Sequence, residues 1–152
     1  MSGKITYRCV RKYKYQLVND YEIDILQECA IDMGNVAGTI SNSEQTFIEL
    51  KVGGKLKIFS GYAWDGPSGP TIDTPNFMRG SLVHDCLYQL MREELISTDN
   101  KEKADDLLRE ICKKDGMTSF RANIVWMGVH TFGKGAVMPN HADEEEKIYT
   151  AP

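Results

Sequence analysis

In Thr46-Phe47-Ile48-Glu49-Leu50-Lys51-Val52 and Lys55-Leu56-Lys57-Ile58-Phe59 apolar and polar residues alternate, with Gly53-Gly54 between the two runs. Successive side chains of a strand point to opposite faces, so this pattern predicts a hairpin with one solvated face. Upstream, Ile5 to Ile25 is rich in Tyr, Val and Ile, and the polar pair Asn19-Asp20 separates Tyr13–Val18 from Tyr21–Ile25. That segment predicts another hairpin. Between the two, residues 33–45 carry Gly34, Asn35, Gly38, Ser41, Asn42 and Ser43, the composition of a loop or a short edge strand.

After Ser60 the alternation stops. Gly61-Tyr62-Ala63-Trp64-Asp65-Gly66-Pro67-Ser68-Gly69-Pro70 is a shaped loop rich in glycine and proline. Thr74-Pro75 then provides a cap and first turn for a helix to about Glu94 or Ile96, with Gly80 expected to delay its regular part. Leu82, Val83, Cys86, Leu87, Leu90 and Met91 cover most of its circumference, which predicts a largely buried helix. Asp99 with Glu102 reads as a capping box for a second helix through Lys114, ended by Asp115-Gly116. Thr118 caps a third, Phe120 to about Phe132, which stops at Gly133-Lys134-Gly135. The expectation is an α+β fold: N-terminal antiparallel β-hairpins packed against about three C-terminal helices, as a single domain over residues 1–139. The tail, residues 140–152, contains Asp143-Glu144-Glu145-Glu146 and reads as acidic and disordered.

Composition narrows the classes of function. A chain of 152 residues, 41% apolar and 26% charged, is long enough for one hydrophobic core. Eighteen basic against 22 acidic residues leave a net charge of -4, so no general affinity for nucleic acid or an anionic membrane surface is expected. The N-terminal residues alternate at once and do not read as a signal peptide. The best candidate for a membrane span, Ile124 to Val129, is interrupted by Gly128 and falls far short of the roughly 18 apolar residues required. Cys9, Cys29, Cys86 and Cys112 form no CxxC and read as reduced, buried thiols rather than disulfides or zinc ligands.

The candidate chemistry lies on the buried helix. His84 and Tyr88 lie one above the other at a spacing of four, Ser81 is a turn earlier, and Asp85 is on the adjoining edge. A buried polar group left unpaired costs on the order of 1–3 kcal/mol, so His84 and Asp85 require specific partners. Asp65 in the loop and Asp105 on the next helix are the candidate carboxylates for His84, Asp105 first. On a purely structural reading Asp85 and Asp105 simply pair with His84, Arg109 or Arg121. Taken alone, Asp65 reads as an Asx-turn cap, Tyr88 and Trp64 as core aromatics, and His130 and His141 as structural or solvated.

Tyr62-Ala63-Trp64-Asp65-Gly66-Pro67-Ser68-Gly69-Pro70, His84-Asp85-Cys86-Leu87-Tyr88 and Ala104-Asp105 together resemble a phage and prophage family of unknown function numbered 1353, through an Asp-Gly-x-Ser loop, a His-Asp-x-Leu-Tyr helix and a later Ala-Asp. The chain departs from that pattern at Gly69, in residues 71–79 and in a longer N-terminal β region. A helical His-Asp-x-x-Tyr with a later helical Asp is also similar to the active-site arrangement of secreted phospholipases. That similarity implies His84 as general base, Asp105 as its orienting carboxylate, and Asp85 as ligand to a divalent cation such as calcium.

Two functions follow as expectations. One is a small hydrolase with His84, Asp105 and Asp65 as catalytic residues and Tyr88, Trp64 and Ser68 as substrate contacts. The other is a non-enzymatic phage protein, a virion component or a binder of a host protein or small ligand, in which the same groups lock loop to helix. Either would reside in the host bacterial cytoplasm or in a virion, with a phage or host protein as partner. There is no P-loop, dinucleotide fingerprint or GxSxG elbow to name a reaction.

Overall fold

The computed structural model describes residues 4–10, 15–66 and 74–138. They form two compact units, one ending at Asp65 and the other running from Gly66 to Met138. The fold is α+β, with antiparallel strands in the first unit and helices in the second.

The first unit contains β1 (Tyr7–Cys9), β2 (Tyr15–Leu17), β3 (Tyr21–Asp24), the short helix α1 (Ile25–Cys29), β4 (Gly38–Ser41), β5 (Thr46–Lys51), β6 (Lys55–Ile58) and β7 (Ala63–Trp64). Two antiparallel sheets result, ordered β1-β2-β7 and β3-β6-β5-β4. In the larger sheet Ile23, Leu56 and Leu50 align across three strands and are buried. On the opposite face Lys57 stands between Glu22 and Glu49, a charge-alternating ladder suited to water. The β5–β6 hairpin is the one the alternation predicts. Gly53 and Gly54 have φ of 93° and 86°, which a side chain at Cβ disfavours. The edge strand expected among residues 33–45 is β4.

The first predicted hairpin does not form. β2 pairs with β1 and β7, whereas β3 pairs with β6, so Asn19-Asp20 carries the chain from one sheet to the other. Asp20 accepts from the Ser60 amide at 2.8 Å, and the Ser60 hydroxyl donates to the Val18 carbonyl at 2.7 Å. A polar break between two apolar runs fits a tight turn or a change of sheet equally well, and here long-range partners decide. Ile25 leaves the strand to begin α1, capped by Asp24, which accepts from the Gln27 amide.

The second unit contains α2 (Pro75–Arg92), α3 (Lys101–Lys114) and α4 (Ser119–Phe132). Between Phe77 and Met91 of α2 every residue except Asp85 is buried, as the all-round apolar pattern requires. Gly80 sits within the regular helix instead of delaying it. A Cβ there would lie 2.9 Å from Cys112 Sγ and 3.1 Å from Leu108 Cδ1, so the missing side chain is what lets α3 approach. The expected Asp99–Glu102 capping box is replaced by Ser97, which accepts from the Asp99 amide and opens a short 3-10 turn before α3. Thr118 caps α4 as predicted, accepting from the Arg121 amide. Phe77, Leu108, Cys112, Met117, Ala122 and Val125 pack together, and Arg79 donates to both oxygens of Asp115. None of the four cysteines is in a disulfide; Cys86 and Cys112 are buried, but Cys9 is exposed and Cys29 half-buried, contrary to the expectation that all are interior.

Candidate functional site

Contacts of Gly80 with Cys112 and of Tyr88 with Asp105 show that α2 and α3 cross antiparallel, which brings the polar stripe of α2 onto the first two turns of α3. Asp105, fully buried, is the centre. Its Oδ1 accepts from His84 Nε2 at 2.8 Å and from the Tyr88 hydroxyl, and its Oδ2 accepts from Lys101 Nζ at 2.7 Å. Lys101 Nζ also donates to the carbonyls of Val129 at 3.1 Å and His130 at 3.3 Å, so one ammonium satisfies the C-terminal end of α4 as well. The imidazole and phenol rings lie 4.0 Å apart.

The electrostatics follow from this packing. Burial alone raises the pKa of Asp105, but the hydrogen bonds from His84, Lys101 and Tyr88 outweigh it and hold the carboxyl below its usual range. For His84 burial pulls downward, and the hydrogen bonds and charges of Asp105 and Asp85 reverse this to leave its pKa raised. Burial, then the bond to Asp105, pushes the Tyr88 phenol upward, so it remains a donor. An ionised Asp105 can only accept, hence His84 Nε2 carries a proton. In the neutral imidazole the lone pair is therefore on Nδ1, which faces Asp85 Oδ1 at 3.9 Å.

Of the residues singled out from sequence, His84, Asp85, Tyr88 and Asp105 are brought together. Arg109 lies instead against Asp106 and Glu110, and Arg121 donates to Thr74. Trp64 is buried in the first unit, its ring against Tyr7 and Tyr15, and Asp65 beside it is exposed. Ser68 lies outside the described residues, as does the tail from Asn140. Among the described residues no three His, Cys, Asp or Glu side chains gather as a cation site. Sequence reasoning missed two participants. Lys101 could have been found from its i,i+4 relation to Asp105. Gly133 could not: a Cβ there would stand 2.6 Å from the Tyr88 hydroxyl, a closeness only the packing creates.

Fold and site together define an α+β protein with a buried imidazole–carboxylate pair held between antiparallel helices. The family model described as a protein of unknown function, DUF1353, matches residues 48–129, more than half of the chain, including His84, Asp85, Tyr88, Lys101 and Asp105, and the chain belongs to that family. Comparison with curated proteins and with solved structures gives no match.

Proposed function

We propose that the chain is a small hydrolase in which Nδ1 of His84 takes the proton of an attacking water. The observation that carries this reading is the 2.8 Å bond from His84 Nε2 to the fully buried Asp105, which directs the lone pair of the neutral ring to Nδ1. In the proposed step the water oxygen bonds to an electrophilic acyl or phosphoryl centre while its proton passes to Nδ1. The resulting imidazolium lies between two carboxylates, Asp105 and Asp85, which stabilise the charge that develops. The bond from that centre to the leaving group then breaks, and the same proton passes from Nδ1 to the departing atom. Tyr88 and Lys101 hold Asp105 in place, a role like that of the orienting residue in other His–Asp pairs. The similarity of His84-Asp85-x-x-Tyr88 and Asp105 to the secreted phospholipase arrangement supports the assignment.

The alternative, a non-enzymatic phage or host-binding protein in which the network only locks helices together, is favoured by one observation: His84 is just 6% exposed. A screen over esters, phosphoesters and peptides, with calcium and with chelator, separates the two. The hydrolase reading expects a rate that His84→Ala lowers by roughly 10²–10⁴-fold in folded protein. A negative screen together with a variant destabilised by a few kcal/mol would replace it with the structural reading.

A further inference from the structure

α4 presents an outward face that the proposed chemistry does not use. Phe120, Ile124 and Met127 are 78%, 50% and 60% exposed, and Thr131 continues their line. Their spacing of four, three and four residues is that of a helix–helix seam. The exposed residues of α4 among those described are Ser119, Phe120, Asn123, Ile124, Met127, His130 and Thr131. None is Asp, Glu, Lys or Arg, in a chain that is 26% charged. Gly128, beside the seam, has open space where its Cβ would be, so no contact among the described residues accounts for a residue that costs about 1 kcal/mol in a helix interior.

We infer that this face is a homodimer interface, in which α4 packs antiparallel against α4 of a second copy. The 4-3-4 spacing reads the same in both directions. Antiparallel packing therefore sets Phe120 against Thr131 of the partner subunit, large against small, and Ile124 against Met127 of the partner subunit. Gly128 leaves the hollow beside Thr131 that the incoming phenyl ring needs. Parallel packing would set Phe120 against itself and leave the Thr131 end empty. Antiparallel helix dipoles also attract. Charge permits a second copy here: two molecules of net charge -4 repel least when they meet through faces without charged residues, and none of the exposed residues of this helix is charged. The three apolar side chains offer roughly 200–300 Å² per copy. Doubled, that is about half of the ~1,000 Å² a specific interface must clear, so the polar rim of Asn123, His130 and neighbouring groups contributes the rest and the dimer is a weak, reversible one.

Sedimentation of the full chain from about 5 µM to about 500 µM tests the inference, a range suited to weak association. The expected result is a mass average that climbs toward twice the monomer. Ile124→Glu should weaken association at least tenfold, whereas Val52→Glu, at a 57% exposed position in the β unit, should not. Register is tested with Phe120→Lys and Thr131→Glu: each alone should lose association, and mixing the two should restore it, because the Lys then faces the Glu. Circular dichroism confirms that each variant is folded, and if Ile124→Glu is not, the mixed pair still decides. A native chain that stays monomeric throughout, including one that instead sediments with phosphatidylcholine vesicles, overturns the inference. So does a Lys/Glu mixture no more associated than its components.

Discussion

Replacing Asp105 by Asn probes the centre of the buried network without opening a cavity, because the amide is close to the carboxylate in size. The change removes the charge that binds His84 and Lys101 and substitutes two donors for one acceptor oxygen. If the amide oxygen keeps Lys101, its NH₂ faces His84 Nε2, and the ring must shift its proton to Nδ1. If the oxygen keeps His84 and Tyr88, the NH₂ opposes the Lys101 ammonium. Breaking a buried ion pair by removing one partner costs 3–5 kcal/mol in general, roughly. Lys101 retains the Val129 and His130 carbonyls and is 17% exposed, which softens the loss, so about 3 kcal/mol is expected. That is a large share of the ~5–15 kcal/mol that stabilises a domain. Urea unfolding followed by far-ultraviolet circular dichroism reads the helical unit, and ¹⁵N shifts of the imidazole report the tautomer. Asp106→Asn, next in sequence but 36% exposed and bonded to Trp126 Nε1, is the control and should cost about 1 kcal/mol or less. A loss below 1 kcal/mol for Asp105→Asn, with the His84 tautomer unchanged, would refute the assignment of Asp105 as the centre.

Stability should vary with pH in two directions. The raised pKa of His84 stabilises fully below its ordinary 6.5 and is lost as pH rises through the folded value; the lowered pKa of Asp105 stabilises above its ordinary 3.8 and is lost as pH falls through its folded value. A maximum therefore lies between these ordinary values, and His84→Gln should flatten the alkaline side of a urea-midpoint profile. If His84 is the general base, turnover should rise over the same alkaline window in which stability declines. Gly80→Ala should destabilise by about 1–3 kcal/mol, since overpacking against Leu108 and Cys112 outweighs the helix preference of alanine; a stabilised variant would contradict the close crossing. In native protein, timed alkylation with mass readout should label Cys9 first and Cys29 next. Cys86 and Cys112 should react only on unfolding, because both are buried and burial pushes the Cys112 thiol up to about 12.

Local pattern by itself determined much of this protein. Period-two alternation around Gly53-Gly54 set the β5–β6 hairpin, Pro75 in the first turn and the unbroken apolar circumference from Leu82 to Met91 set α2, although the Thr74 hydroxyl makes no capping bond and bonds Asn76 and Arg121 instead, and Thr118 set the start of α4, because each of these signals depends on contacts within a few residues. The same reasoning singled out His84, since a histidine on a buried helix must be paired, and ranked Asp105 first as its partner. It misjudged Asn19-Asp20, whose neighbours find their hydrogen bonds in two different sheets, and it misread Gly80, whose value lies in the Cys112 and Leu108 atoms beside it. Only the tertiary structure decided that Lys101 completes the Asp105 network while holding the end of α4, and that Gly133 makes room for Tyr88. Those are distances between segments remote along the chain, and a sequence read locally carries the periodicity of each helix but not the angle and depth at which two helices cross.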